Sequence, residues 1–141
     1  MVQAARIAIT GTQTMEDCGP QTLELVTDGS YCYEPGFALL SYVESELAGL
    51  EGVVTSFQIE DGKTVTLRRS GKGNAEMVFD RRQAHESLYD VGFGAMMISV
   101  VTEDMTVLLN EHGGVLDLDY RVEVEHALCS RNRYHIEIQT I

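Results

Sequence analysis

Glu44 and Glu46, two residues apart in the stretch SYVESELAGLEG (41–52), are the carboxylates whose spacing could do chemistry. On a β-strand such residues share a face, with Cα atoms roughly 6.6 Å apart. That separation allows the acid and nucleophile pair of a glycosidase. Alternate side chains of one strand point in parallel, however, not across a shared substrate, and no second feature completes a reaction centre. No catalytic residue is assigned on this basis.

Two other roles stay open for these glutamates. In TVTLRRS (64–70), Val65, Leu67 and Arg69 share one face. If Val65 and Leu67 point inward, Arg69 is carried into the interior, where a guanidinium needs an acidic partner. Tyr42, Glu44 and Glu46 share a face that could supply it. If the opposite face, with Leu39, Val43 and Leu47, is the interior one, the glutamates are solvated. The sequence leaves this orientation undecided.

The remaining candidates are weaker. RRSGKGN (68–74) lacks the spacing of a phosphate-binding loop and reads as a hairpin turn. His126 and Cys129 have a metal-site spacing, but partners would have to come from His85, His112 or His135 on other elements. Asp117 and Asp119 alternate with Leu116, Leu118 and Tyr120 and should face water. No nucleophile elbow is present. The reading therefore assigns no metal and no cofactor.

The elements that must position these residues are strands. Period-2 alternation dominates, and helical patterning is almost absent. Strand candidates are 6–12, 22–34, 37–47, 52–60, 64–70, 74–80, 94–103, 105–112, 115–125 and 133–141. Turn signals punctuate the chain at Asp28-Gly29, Pro35-Gly36, Asp61-Gly62, Gly71 to Asn74 and Gly113-Gly114. Strands joined this tightly are antiparallel neighbours. Residues 82–93 alone leave room for a short helix or a lid-like loop. A meander with two open edges is best closed on itself, which predicts an all-β, antiparallel up-and-down β-barrel of about eight to ten strands. Residues 1–141 should form a single domain.

Charge narrows the partners. With 22 acidic against 10 basic residues the net charge is −12, which repels phosphate backbones. Neither nucleic acid nor an anionic membrane is an expected partner; a homodimer remains possible. Cys18, Cys32 and Cys129 are odd in number and widely spaced, which suits reduced thiols. No stretch approaches the length of a membrane span, and the first residues lack the apolar core of a signal peptide. The expected location is the cytoplasm.

The order and spacing of several segments resembles one family. These are ITGTQ, TDGSY, YVESELAGLEGVVT (42–55), VTLRRSG (65–71), MVF (77–79), YDVGFGAMMISVVT (89–102), GGVLDLDY (113–120) and NRYHIEIQ (132–139). Together they resemble the YwiB-like proteins, bacterial proteins of unknown function. One departure is Asp90-Val91-Gly92, where the resemblance would place a Thr-Pro pair before the aromatic-Gly. The resemblance implies a lipocalin-like (calycin) barrel related to fatty-acid-binding proteins. It implies no activity, and fold analogy does not supply one.

A barrel of this kind either packs solid or keeps a ligand cavity. Met96, Met97 and Ile98, with Met77 and Phe79, could line one, and methionine-rich linings adapt to varied ligands. The candidate interior ligand-binding residues are Tyr42, Glu44, Thr55, Phe57, Arg69, Met77, Phe79 and Met97. The leading reading is a non-enzymatic barrel that binds a small apolar or amphipathic ligand, with the 82–94 loop over its mouth. A solid barrel that mediates dimerisation or partner contacts is the alternative, and an enzyme using Tyr42, Glu44 and Arg69 is a third.

Overall fold

Short turns rich in glycine leave each strand no choice but to pair with the next. The computed structural model describes residues 2–15, 18–44, 52–71, 75–90, 95–124 and 127–141. Ten strands follow in order: β1 (Val2–Met15), β2 (Gln21–Glu34), β3 (Phe37–Val43), β4 (Val54–Glu60), β5 (Thr64–Ser70), β6 (Ala75–Asp80), β7 (His85–Asp90), β8 (Ala95–Asn110), β9 (Gly113–Val124) and β10 (Ala127–Thr140). Each pairs antiparallel with its neighbours in sequence, and β1 pairs with both β2 and β10, so the barrel is closed. Closure removes both sheet edges. Among the described residues, β6 and β7 share only the Ala75–Tyr89 pair, which makes this the thinnest seam of the wall.

The hairpin predicted at Asp61-Gly62 forms as expected. Both residues take positive φ, 53° and 64°, as a type I′ turn requires, and the Lys63 N–H donates to the Glu60 carbonyl at 3.0 Å. Asp28-Gly29, read from sequence as a turn, instead lies inside β2. There a Cβ on Gly29 would strike the Ser41 carbonyl and Ile7, so this glycine serves close strand approach and not a reversal.

Two further expectations are corrected. Residues 82–93 hold a turn and then the strand β7; 91–93 lie outside the described residues. The two strand candidates at 94–103 and 105–112 are one long strand, β8. The register against β9 shifts between Thr102 and Asp104, leaving Glu103 as the extra residue of a β-bulge. The bulge turns Glu103 toward Arg131 and Arg121, at 3.2 and 3.9 Å. At the start of β9 a Cβ on Gly114 (φ 138°) would collide with the Leu108 carbonyl, so glycine is required where β9 leaves β8.

Among the described residues, every strand but β7 contributes to the core. Ile7, Tyr31, Leu40, Phe57, Val65, Leu67, Phe79, Val100, Leu116, Leu118 and Ile136 are all buried. Inward residues alternate with outward polar ones, as in His135, which faces out between Ile136 and Tyr134 and contacts Asp117 at 2.5 Å and Glu137 at 3.2 Å. Those two carboxylates, Asp117 first, raise the His135 pKa above its ordinary value. Among the described residues no helix is long and apolar enough to cross a membrane.

Asp80 is a buried carboxylate with a measurable pH signature. It is 4% exposed and accepts from Arg82 Nε, Arg82 Nη2 and the Arg82 backbone N–H, each at 2.9 Å. These bonds hold its pKa down to about 2, against an ordinary 3.8, with burial opposing them. A depressed folded-state pKa contributes stability that is complete above the unfolded value and lost as pH falls through the folded one. The stability gap between the native chain and Asp80→Asn should therefore be constant above pH 3.8 and narrow as pH falls toward about 2. Thermal melts of both proteins across this window measure it; a gap independent of pH would refute it.

Candidate functional site

Strand register decides which way the glutamate strand faces. Both faces of β3 carry apolar residues, so its own pattern is ambiguous; β4 and β5 are not, because Phe57, Ile59, Val65 and Leu67 must be inside. Pairing places Tyr42 opposite Thr55 and Thr55 opposite Arg69, so the three form one row across the inner wall. Tyr42 is 5% and Glu44 6% exposed, whereas Val43 is 57% exposed. The interior orientation is the one the chain adopts. Glu46 lies outside the described residues.

Glu44 extends the row by one residue. Its N–H donates to the Val53 carbonyl at 2.8 Å, which keeps the chain in register just beyond β3. Its Oε1 accepts from the buried Thr55 hydroxyl at 2.7 Å, and the Tyr42 phenol also hydrogen-bonds its carboxylate. Burial, then the neighbouring Glu44 charge, pushes the Tyr42 phenol well above the usual range, with Arg69 pulling weakly the other way. Tyr42 is thus a neutral donor at any ordinary pH.

Arg69 completes the cluster from the other side. Its Nη2 reaches across the lumen to the Tyr134 hydroxyl on β10, at 3.4 Å. Burial disfavours the Arg69 cation, but Tyr134, then Glu44 and Tyr42, outweigh it, and the guanidinium stays charged. Its Nε is buried without a hydrogen-bond partner. Tyr134 is itself fixed by rings: Phe57 meets it edge-on at 6.3 Å and Tyr120 lies 6.1 Å away. A Cβ on Gly11 would come within 3.1 Å of the Tyr134 ring, so the glycine leaves room for it.

Beside this cluster is a cavity of about 630 Å³, at the barrel end where β1 leads into β2 and β9 into β10. Leu23, Met77, Ile98, Tyr120 and Val122 form its apolar wall, and Arg69, Tyr134, Arg133 and neutral polar residues of β1, β2 and β10 line the rest. Tyr42 and Glu44 do not line it. A second hollow of about 520 Å³ at the opposite end, around Ile59 and Val107, takes its charged groups from the exposed Asp61–Lys63 turn.

A model of the family described as a domain of unknown function (DUF1934) matches residues 7–136. The chain belongs to this family. Among solved structures, the ywiB protein from Bacillus subtilis is similar, with a TM-score of 0.84 at 20% sequence identity over 99% of this chain and 93% of that one. At such identity the likeness shows the shared fold. No curated protein matches the chain. The YwiB-like resemblance read from the motifs is thus met in both family and fold.

On this DUF1934 barrel, Tyr42, Glu44, Thr55, Phe57, Met77 and Phe79 all face the interior, and Arg69 joins them. Met97 does not. It is 50% exposed on the outer wall, while Ile98 beside it is buried and lines the cavity. Consecutive strand residues cannot both face the lumen. Tyr134 and Tyr120 were missed as site residues, although each shares a face with buried aliphatic residues, Ile136 and Leu118. That alternation was the available signal.

The other polar candidates do not join the Tyr42–Glu44–Arg69 cluster. Arg68 points outward to Glu76 at 2.9 Å, Asp119 lies 3.8 Å from Arg133, and His85 is 3.8 Å from Asp80. Cys129 lines the cavity, and His126 lies outside the described residues. Among the described residues no three His, Cys, Asp or Glu side chains are grouped to hold a metal ion.

Proposed function

We propose that this barrel is a non-enzymatic binding protein for a small amphipathic ligand seated in the cavity beside Arg69. The observation that carries the reading is the cavity itself: about 630 Å³, with an apolar wall on one side and polar side chains, Arg69 and Tyr134 among them, on the other. Small-molecule sites typically have ~300–1,000 Å³. A reaction centre built on Tyr42, Glu44 and Arg69 would need all three to meet a substrate, and only Arg69 lines the cavity.

Native mass spectrometry of freshly purified protein should show a one-to-one non-covalent adduct of small-molecule mass. After extraction, the protein should take up one equivalent of an environment-sensitive amphipathic fluorophore. Ile98→Trp, which fills the cavity from its apolar wall, should abolish uptake while leaving the far-ultraviolet spectrum unchanged. Absence of both adduct and uptake would overturn the reading, as would uptake undiminished by Ile98→Trp.

A further inference from the structure

We propose that two copies of this chain associate through the outer face of β2 to β5, with β3 of one copy packed on β4 of the other about a two-fold axis along the strands. The proposal is independent of the binding reading above, since no residue of this face lines the 630 Å³ cavity.

The first observation is an uncharged wall on a highly charged protein. Leu40, Tyr42, Thr55 and Phe57 are buried, so their neighbours in the strands point outward. These are Leu39, Ser41 and Val43 on β3, and Val54, Ser56 and Gln58 on β4. Register extends the face through Ser30 and Cys32 of β2 on one side and Thr66 of β5 on the other. None of these residues is charged. The far side of the barrel differs: there β8 to β10 turn out Glu103, Asp117, Asp119, Arg121, Arg133 and His135. Two copies of net charge −12 repel each other, and their contact is least opposed where neither brings a charge.

The second is the shape and polarity of that wall. Val43 and Val54 are paired side by side and are 57% and 36% exposed, an apolar surface that association would remove from water. Below them Ser30, Ser41 and Ser56 form a row of small side chains, with the Ser41 and Ser56 hydroxyls 3.3 Å apart. Nothing long stands in this row to keep a second sheet from the ~10 Å of face-to-face packing.

The third is that the face complements itself, as an isologous contact requires. A two-fold axis between β3 and β4 sets Val43 of one copy on Val54 of the other and Ser41 on Ser56. It also lays the β2 edge of each copy over the β5 edge of its mate. The β2 edge carries Asp28, 3.4 Å from Arg6, and the β5 edge carries Arg68, 2.9 Å from Glu76. An acidic edge thus meets a basic one twice, once on each side of the axis. An unrelated protein would have to bring both edges; a second copy already does. Four strands ~4.8 Å apart and seven residues long give a face of about 19 by 23 Å. Two such faces bury roughly 900 Å², the size of weak and reversible complexes, so a dissociation constant of order 10–100 μM is expected.

Sedimentation velocity of the native chain from about 1 μM to 1 mM tests this, and should show a monomer passing to a dimer within that range. Val43→Glu and Val54→Lys, both at exposed positions, should each raise the dissociation constant roughly tenfold or more with the far-ultraviolet spectrum unchanged. An equimolar mixture of the two variants should associate again. In the mixed pair one Val43–Val54 contact becomes Glu against Lys, and the other keeps both valines. Leu108→Lys, at a 67% exposed residue of β8, should leave association as it is.

A native chain that stays monomeric throughout would overturn the proposal and leave the face to a different protein. A dimer that survives both valine variants, or that Leu108→Lys dissolves, places the interface elsewhere and overturns it as well. Variants that are monomeric alone and stay so when mixed refute the packing of β3 on β4.

Discussion

Phe57→Ala should lower the unfolding free energy by about 3–5 kcal/mol, the range for deleting a buried aromatic ring from a packed core. Phe57 is 1% exposed and stands in a row with Leu40, Leu67 and Met77, each on an adjacent or next strand. It does not line the 630 Å³ cavity, so its neighbours are side chains and not solvent. Closing the gap would require strands β3 to β6 to move inward, and the hydrogen-bonded ladders on either side of each resist that. Urea denaturation should show a lower midpoint with an unchanged slope. The same substitution removes the edge contact with Tyr134, so uptake of the amphipathic fluorophore should weaken as well. A loss under about 1 kcal/mol would mean that this part of the lumen is not tightly packed.

How much of this arrangement the sequence carries differs from strand to strand. β5 matches its sequence boundaries because Thr64 to Ser70 alternate cleanly between two turns. β8 was divided at Asp104 because an exposed acidic residue looks like a break, whereas a bulge absorbs it by displacing Glu103 and leaving the strand continuous. β7 was hidden because Arg81 to Ala84 form an exposed turn and the strand after it is short. The interior site shows the same division. Arg69 was legible as an inward residue from Val65 and Leu67 alone. The facing of Glu44 was not, since Leu39 and Val43 compete with Leu40 and Tyr42 for the core, and the contest is settled only by pairing with β4. Tyr134 belongs to the strand that closes the barrel against β1, a contact between distant parts of the chain that periodicity cannot supply. Met97 was misplaced for a simpler reason: a run of apolar residues was read as a unit when alternate members must diverge.

Glu44 separates hydrogen bonding from charge, and its variants should behave very differently. Glu44→Ala removes the acceptor of two buried donors, the Thr55 hydroxyl and the Tyr42 phenol, at a position 6% exposed. Each unsatisfied buried group costs about 1–3 kcal/mol, so a loss of roughly 2–4 kcal/mol is expected, allowing for partial relaxation. Glu44→Gln keeps an oxygen acceptor for Thr55 in nearly the same volume, and should cost about 1 kcal/mol or less. Chemical denaturation of the two variants measures both effects. Were Glu44→Gln to lose as much stability as Glu44→Ala, the carboxylate's charge and not its acceptor role would be what the cluster needs.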